Sequence, residues 1–234
     1  MGQNLKEQVT INLVHVNHIL IAGGSGSGKS ILVRAILLQG IRKGANIILG
    51  DFKGGLDYAG KWAEQCNLIT DKEQWADELE TIIDMMHERI DLLREAECEN
   101  IAVYNKIHDE KLSYYIICCD EISELLDKGG LSSKDPRRVL IERIESILST
   151  LARQGRCAGI ILLLSTQIPS REVISGQIIS NMNLKIVGKA DATLSTMVLG
   201  NGDADKRIPK DKNGFFLTNT GTLFKGYYVD KNCL

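Results

Sequence analysis

Apolar residues recur along this chain with two periods, and the alternation between them predicts the architecture. Val9 to Val16 alternates apolar and polar positions, the pattern of a strand with one wet face, so residues 1–16 read as an N-terminal extension carrying an edge strand. His18-Ile19-Leu20-Ile21-Ala22 predicts a short buried strand, as do Ala45 to Gly50, Tyr114 to Cys119, Gly159 to Ser165 and Asn183 to Gly188. Between these runs the spacing changes to three and four. Trp75, Leu79, Ile82, Ile83, Met86, Ile90 and Leu93 share one face of a helix over 71–96, and residues 29–43 and 137–154 also read as helices. Two late runs, Gly214 to Leu217 and Thr222 to Val229, flank Asn219-Thr220-Gly221 and predict a C-terminal hairpin. Strands alternating with helices imply an α/β fold, a mostly parallel central sheet flanked by helices. No repeat or linker composition divides the chain, so 1–234 reads as a single domain.

Composition narrows the setting. With 234 residues, 44% hydrophobic, the chain can bury a core without disulfides or metal. A net charge of -2 provides no global field for nucleic acid, so any such contact is local. The six cysteines form no C-x-x-C pair and no signal peptide precedes them, which indicates a reduced, cytoplasmic setting. The longest apolar stretch, Ile160 to Leu164, is too short to span a bilayer, so a membrane tether would belong to the remainder of a longer parent protein. The four histidines lack metal spacing, and His18 reads as a core residue.

The chemistry concentrates in Gly23-Gly24-Ser25-Gly26-Ser27-Gly28-Lys29-Ser30, which fits G-x-x-x-x-G-K-[ST] between a strand and a helix. Glycines let the backbone wrap with its amides pointing inward, and the helix start adds free amides and its dipole, so the loop suits a di- or triphosphate. Lys29 would reach the β- and γ-phosphates, and the Ser30 hydroxyl would ligate Mg²⁺. The strand Tyr114 to Cys119 ends in Asp120-Glu121, where Asp120 would hold the Mg²⁺ and Glu121 would orient or deprotonate an attacking water.

Further candidates keep two readings each. Ser165-Thr166-Gln167 either senses the γ-phosphate or makes an ordinary strand-end turn. Arg153 and Arg156 either neutralise charge on a transferred phosphoryl group across a subunit boundary or form surface ion pairs. The loop from Lys128 to Arg138, with Lys128, Lys134, Arg137 and Arg138, either grips a phosphate backbone or is a solvated loop whose Asp135-Pro136 caps the next helix.

Taken in order, these motifs resemble the motor domain of the FtsK/SpoIIIE family, within the HerA/FtsK group of hexameric ATPases. The resemblance runs from about residue 18 to 229. It adds Asp51-Phe52-Lys53-Gly54-Gly55 after the second strand, Arg89, the Asn100-Ile101 and Tyr104-Asn105 pairs, and Arg156-Cys157-Ala158-Gly159-Ile160 leading to Ser165-Thr166-Gln167-Ile168-Pro169-Ser170. It implies a RecA-like P-loop fold and a ring, expected as a hexamer, that hydrolyses ATP between subunits. ATP and Mg²⁺ would sit at Lys29, Ser30 and Asp120, with catalysis at Glu121, sensing at Gln167 and Arg156 acting in trans. Most members move DNA, single- or double-stranded, and here segments 128–138 and 168–177 would face the channel. The expected role is a DNA-translocating motor for conjugative transfer by a mobile element. The rivals are a type VII-like protein-secretion ATPase, acting on a secreted substrate, and a degenerate nucleotide-binding ring module. The family often carries S-R-x-x-L before its last strands; here Ser195-Thr196-Met197-Val198-Leu199 has no arginine, and Ile168 stands where translocases commonly carry one.

Overall fold

The central strands carry long apolar runs, because both of their faces are covered. In the computed structural model, which describes residues 2–3, 8–16, 18–54, 57–167, 173–230 and 233, these strands form the middle of one sheet. The strands are β1 (Gly2–Gln3), β2 (Gln8–Val9), β3 (Ile19–Ala22), β4 (Asn46–Asp51), β5 (Asn67–Ile69), β6 (Tyr115–Asp120), β7 (Ile160–Thr166), β8 (Leu184–Val187), β9 (Phe215–Thr218) and β10 (Leu223–Gly226). Their spatial order is β2-β1-β10-β9-β8-β3-β7-β6-β4-β5. The block from β8 to β5 is parallel, and β9, β10, β1 and β2 add an antiparallel flank.

The helices are α1 (Leu13–Val16), α2 (Lys29–Arg42), α3 (Lys61–Gln65), α4 (Lys72–Glu95), α5 (Ile101–Ile107), α6 (Ile122–Leu126), α7 (Pro136–Gln154), α8 (Gly176–Asn181), α9 (Ala192–Leu199) and α10 (Asp203–Arg207). Successive strand residues serve opposite layers. Ile19 and Ile21 pack with Leu32, Val33 and Leu37 of α2, whereas Leu20 and Ala22 share a core with residues of α4 and α7. Cys118 and Cys119, on adjacent positions of β6, enter different cores as small apolar groups.

The predicted strands of the parallel block and the three long helices appear within one or two residues of their expected bounds. The N-terminal expectation needs correction. Of the Val9 to Val16 run only Val9 lies in a strand, β2, and Leu13–Val16 closes into a short helix whose His15 and Val16 amides donate to the Asn12 carbonyl at 3.1 and 3.0 Å. Leu13 and Val16, three residues apart, reach one core from a helical turn, so the apparent alternation there had a different cause. The late run from Thr222 to Val229 is a strand only as far as Gly226.

The segment Asn100 to Asn105 has a structural role. Asn100 caps α5 by accepting the amides of Ala102 and Val103 at 2.9 and 3.0 Å, and Asn105 brackets Leu112 through both backbone groups. Ile101 presses so closely on Gly159 that a Cβ there would meet Ile101 Cδ1 at 2.1 Å, and Gly159 has φ of 76°. Arg89 spans from α4 to the carbonyls of Ser113 and Ala158 at 2.9 and 2.8 Å, and its guanidinium stands over the Tyr115 ring.

Candidate active site

The carboxyl edge of the parallel block gathers the predicted chemistry. Strand register puts Asp51, Asp120 and Ser165 in one row across β4, β6 and β7, and Thr166, Ala22 and Val187 in another across β7, β3 and β8. The phosphate loop leaves β3 at Gly23, one residue past the second row. Its Gly23 amide donates to Thr166 O at 3.3 Å and its Gly24 amide to Lys189 O at 2.8 Å, so both neighbouring strands brace it. Gly28 begins α2 with φ of 96°, a left-handed conformation that a side chain would strain, and a Cβ there would meet Gly214 Cα at 3.3 Å. Ser25 and Gly26 are exposed at the tip, and Ser30 lies half-buried in the first turn of α2. Ser27 is buried, with no hydrogen bond on its hydroxyl oxygen.

Lys29 is 7% exposed and donates to Gly23 O at 2.6 Å. Burial lowers its pKa, against the opposing pull of Glu121 and Asp120, with Lys53 adding to the lowering. Asp120 is buried at the tip of β6. Ser165 Oγ donates to one of its oxygens, and the Tyr58 hydroxyl donates to the other at 3.1 Å. Burial, followed by the adjacent Asp120 charge, pushes the Tyr58 phenol well above its usual range, so it stays a donor.

Glu121 follows with φ of 75° and ψ of 68°, a conformation costing a non-glycine residue roughly 1–3 kcal/mol. Its surroundings hold it there. Its amide donates to Ser165 O at 3.1 Å, one carboxylate oxygen accepts the Gln167 amide at 2.8 Å, and the other pairs with Lys53 Nζ at 3.2 Å. Burial alone would raise its pKa, but the Gln167 amide, Lys53 and Lys29 together outweigh that and leave it below the usual carboxylate value. Glu121 is therefore a carboxylate at neutral pH.

Sequence reasoning missed two members of this site. Tyr58 gave no signal in the sequence, since a tyrosine in a turn has no period. Lys53 stood inside the Asp51 motif, but nothing local showed that it crosses to Glu121.

Other candidates lie elsewhere or carry other duties. Arg156 is exposed in the turn between α7 and β7, at the opposite end of β7 from the phosphate loop, and Arg153 donates to Thr150 Oγ1 at 3.3 Å in the last turn of α7. Asp135 accepts the Arg137 amide at 2.9 Å and Pro136 opens α7, as the capped-helix reading expected. Lys128 pairs with Glu145 at 2.7 Å, Arg137 with Asp135 at 2.8 Å and Arg138 with Glu142 at 2.9 Å, while Lys134 is exposed. Ser195 is fully buried, bonded to Asn201 O at 2.7 Å and to the Ala204 amide at 3.0 Å, so it ties α9 to α10. Gly55 and residues 168–172, including Ile168, Pro169 and Ser170, lie outside the described residues. Among the described residues no helix is long and apolar enough to cross a membrane.

Comparison with known proteins adds to this geometry. Residues 1–119 match the FtsK/SpoIIIE family. The chain is 29% identical over 228 residues to the DNA translocase FtsK of Staphylococcus aureus, covering 90% of this chain but only 28% of that protein. Among solved structures, the conjugation coupling protein TcpA of pCW3, in a monomer form with ATPγS, superposes with a TM-score of 0.92 at 36% identity, over 99% of this chain and 66% of that one. The cytoplasmic domain of the type VII secretion ATPase EccC of Thermomonospora curvata gives a TM-score of 0.69 at 26% identity, over 91% of this chain and 25% of that one.

Proposed function

The chain belongs to the FtsK/SpoIIIE family, and on that premise we propose that it is the ATP-hydrolysing motor domain of a DNA translocase serving conjugative transfer. The observation that carries the hydrolytic reading is the juxtaposition at the sheet edge. A buried lysine in the phosphate loop after β3 and an ionised Glu121 after β6 stand at the same sheet edge with β7 between them, and Asp120 is alongside. Likeness to TcpA over nearly the whole chain supports the conjugative reading.

The residues have separate tasks. Lys29 exchanges the Gly23 carbonyl for oxygens of the β- and γ-phosphates. Mg²⁺ suits the donor set, because Ser30 and Asp120 offer hard oxygens and the two hydrogen bonds on Asp120 leave lone pairs on its carboxylate. Those two residues would hold the ion, which neutralises phosphate charge. Glu121 orients the attacking water and accepts its proton. Gln167, bonded to Glu121 through its own amide, is placed to pass a change at that carboxylate into the segment that follows. Arg156 is too far along β7 to serve its own pocket, so its catalytic use requires a neighbouring subunit in a ring.

The test is ATP turnover with duplex DNA, single-stranded DNA or no polymer, across a salt series. Stimulation by DNA that fades with salt is expected. Likeness to EccC favours one rival, and stimulation by a secreted peptide but not by DNA would select it. The Arg137–Asp135 and Arg138–Glu142 pairs of the 128–138 loop are exposed enough to exchange partners, and solvent screens them. Replacing Lys134, Arg137 and Arg138 by alanine should reduce the salt slope of DNA binding by about 2 to 3. An unchanged slope leaves the loop as a helix cap.

A further inference from the structure

We propose that Tyr227 and Tyr228 form the aromatic platform that receives the base of the nucleotide. The proposal rests on the nucleotide-pocket reading above and extends it to the nucleoside end. The sheet sets the direction of the bound molecule. Asp120 and Glu121 stand at the tip of β6, which lies beyond β7 on one side of β3. The terminal phosphate must face them, so the nucleoside points the other way, over β8, β9 and β10.

On that side the start of β9 and the end of β10 converge. Because β9 is antiparallel to β8 and β10 to β9, β9 begins and β10 ends at the edge that carries the phosphate loop. Backbone bonds fix them to it: the Gly214 amide donates to Ser27 O at 3.0 Å, and the Gly226 amide donates to Gly214 O at 2.8 Å. Tyr227 and Tyr228 follow directly. Val229, the next residue, is buried in the same core as the apolar face of α2. The tyrosine pair is thus held between two anchored points beside the start of that helix.

Both rings nevertheless face water, Tyr227 with 38% and Tyr228 with 75% of its surface exposed. Among the described residues the Tyr228 hydroxyl reaches Asp230 Oδ2 at 3.4 Å while its ring stays open to water, and the loop tip nearby is open too: a Cβ on Gly26 or on Gly214 would meet nothing within 4 Å. A flat heteroaromatic ring is the ligand that fits such a platform, held by stacking and not by edge-reading hydrogen bonds. The platform therefore accepts adenine and guanine with similar strength.

The experiment measures dissociation constants of the whole chain for ATP, GTP and inorganic tripolyphosphate. Replacing both tyrosines by alanine should weaken ATP and GTP about tenfold or more. Tripolyphosphate binding should stay unchanged, which also reports that the variant is folded, and the double phenylalanine variant should restore the affinity. Unchanged ATP affinity in the alanine variant overturns the platform. So does an equal loss for ATP and tripolyphosphate, or a loss confined to single-stranded oligonucleotide. If the unaltered chain binds neither ATP nor tripolyphosphate, the pocket itself is refuted, and the platform with it.

Discussion

Lys53 Nζ lies 3.2 Å from Oε2 of Glu121, joining the turn after β4 to the carboxylate proposed to activate water. Lys53 is itself fixed, since its amide donates to Asp51 Oδ1 at 3.0 Å. The ammonium holds the carboxylate ionised and occupies one of its two oxygens.

The first expected outcome concerns pH. Glu121 sits below the usual carboxylate range despite its burial, and Lys53 is one of three groups that keep it there. A carboxyl with a depressed folded pKa stabilises the fold above its unfolded value, and that contribution fades as pH falls through the folded one. A Lys53→Ala variant should therefore move the acidic limb of the turnover profile to higher pH. A limb that stays in place would show that Lys53 does not tune this group.

Binding and chemistry should separate by residue. Glu121→Gln keeps the shape but loses the proton acceptor, so turnover should fall about 10²- to 10⁴-fold with nucleotide affinity retained. Lys29→Ala should abolish turnover and weaken nucleotide binding together. Equilibrium binding beside single-turnover kinetics distinguishes the two.

Tyr58→Phe removes one of the two hydrogen bonds on Asp120 and leaves the ring packed at right angles to Trp62. Stability should drop by only about 1 kcal/mol. The Mg²⁺ concentration for half-maximal turnover should shift, because the carboxylate loses a fixed orientation. A magnesium titration of the variant reads this directly.

His18 supplies a stability prediction away from the site. It is buried, its Nδ1 accepts the Leu162 amide at 3.0 Å, and its pKa falls from the ordinary 6.5 to about 4, mainly through burial. Protonation would cost that acceptor. The neutral form stabilises the fold above pH 6.5, and the contribution, about 3 kcal/mol at most, is lost as pH falls toward 4. Denaturant midpoints between those pH values should decline less steeply for His18→Leu than for the unaltered chain.

The parts of this fold that show in the sequence are those where one physical cause acts alone. Unbroken apolar runs mark β3, β6 and β7 because water reaches neither face, and the three- and four-residue spacing of α4 survives over many turns. The phosphate loop is visible because its chemistry lies within eight consecutive residues. What stays hidden has mixed or distant causes. The short helices α3, α6 and α10 have five residues each, less than two turns, too few for a period to show. Tyr58 meets Asp120 across 62 positions of sequence and Lys53 meets Glu121 across 68, so no local pattern records either contact.

The tip of β7 touches both halves of the pocket. Ser165 holds Asp120 through its hydroxyl and Glu121 through its carbonyl, and the carbonyl of Thr166 receives the first amide of the phosphate loop. A displacement of this strand tip would reach the Glu121 carboxylate and the phosphate loop in the same movement. In such an arrangement a single strand end couples the two halves of the pocket, so a shift in one is felt in the other without an intervening element.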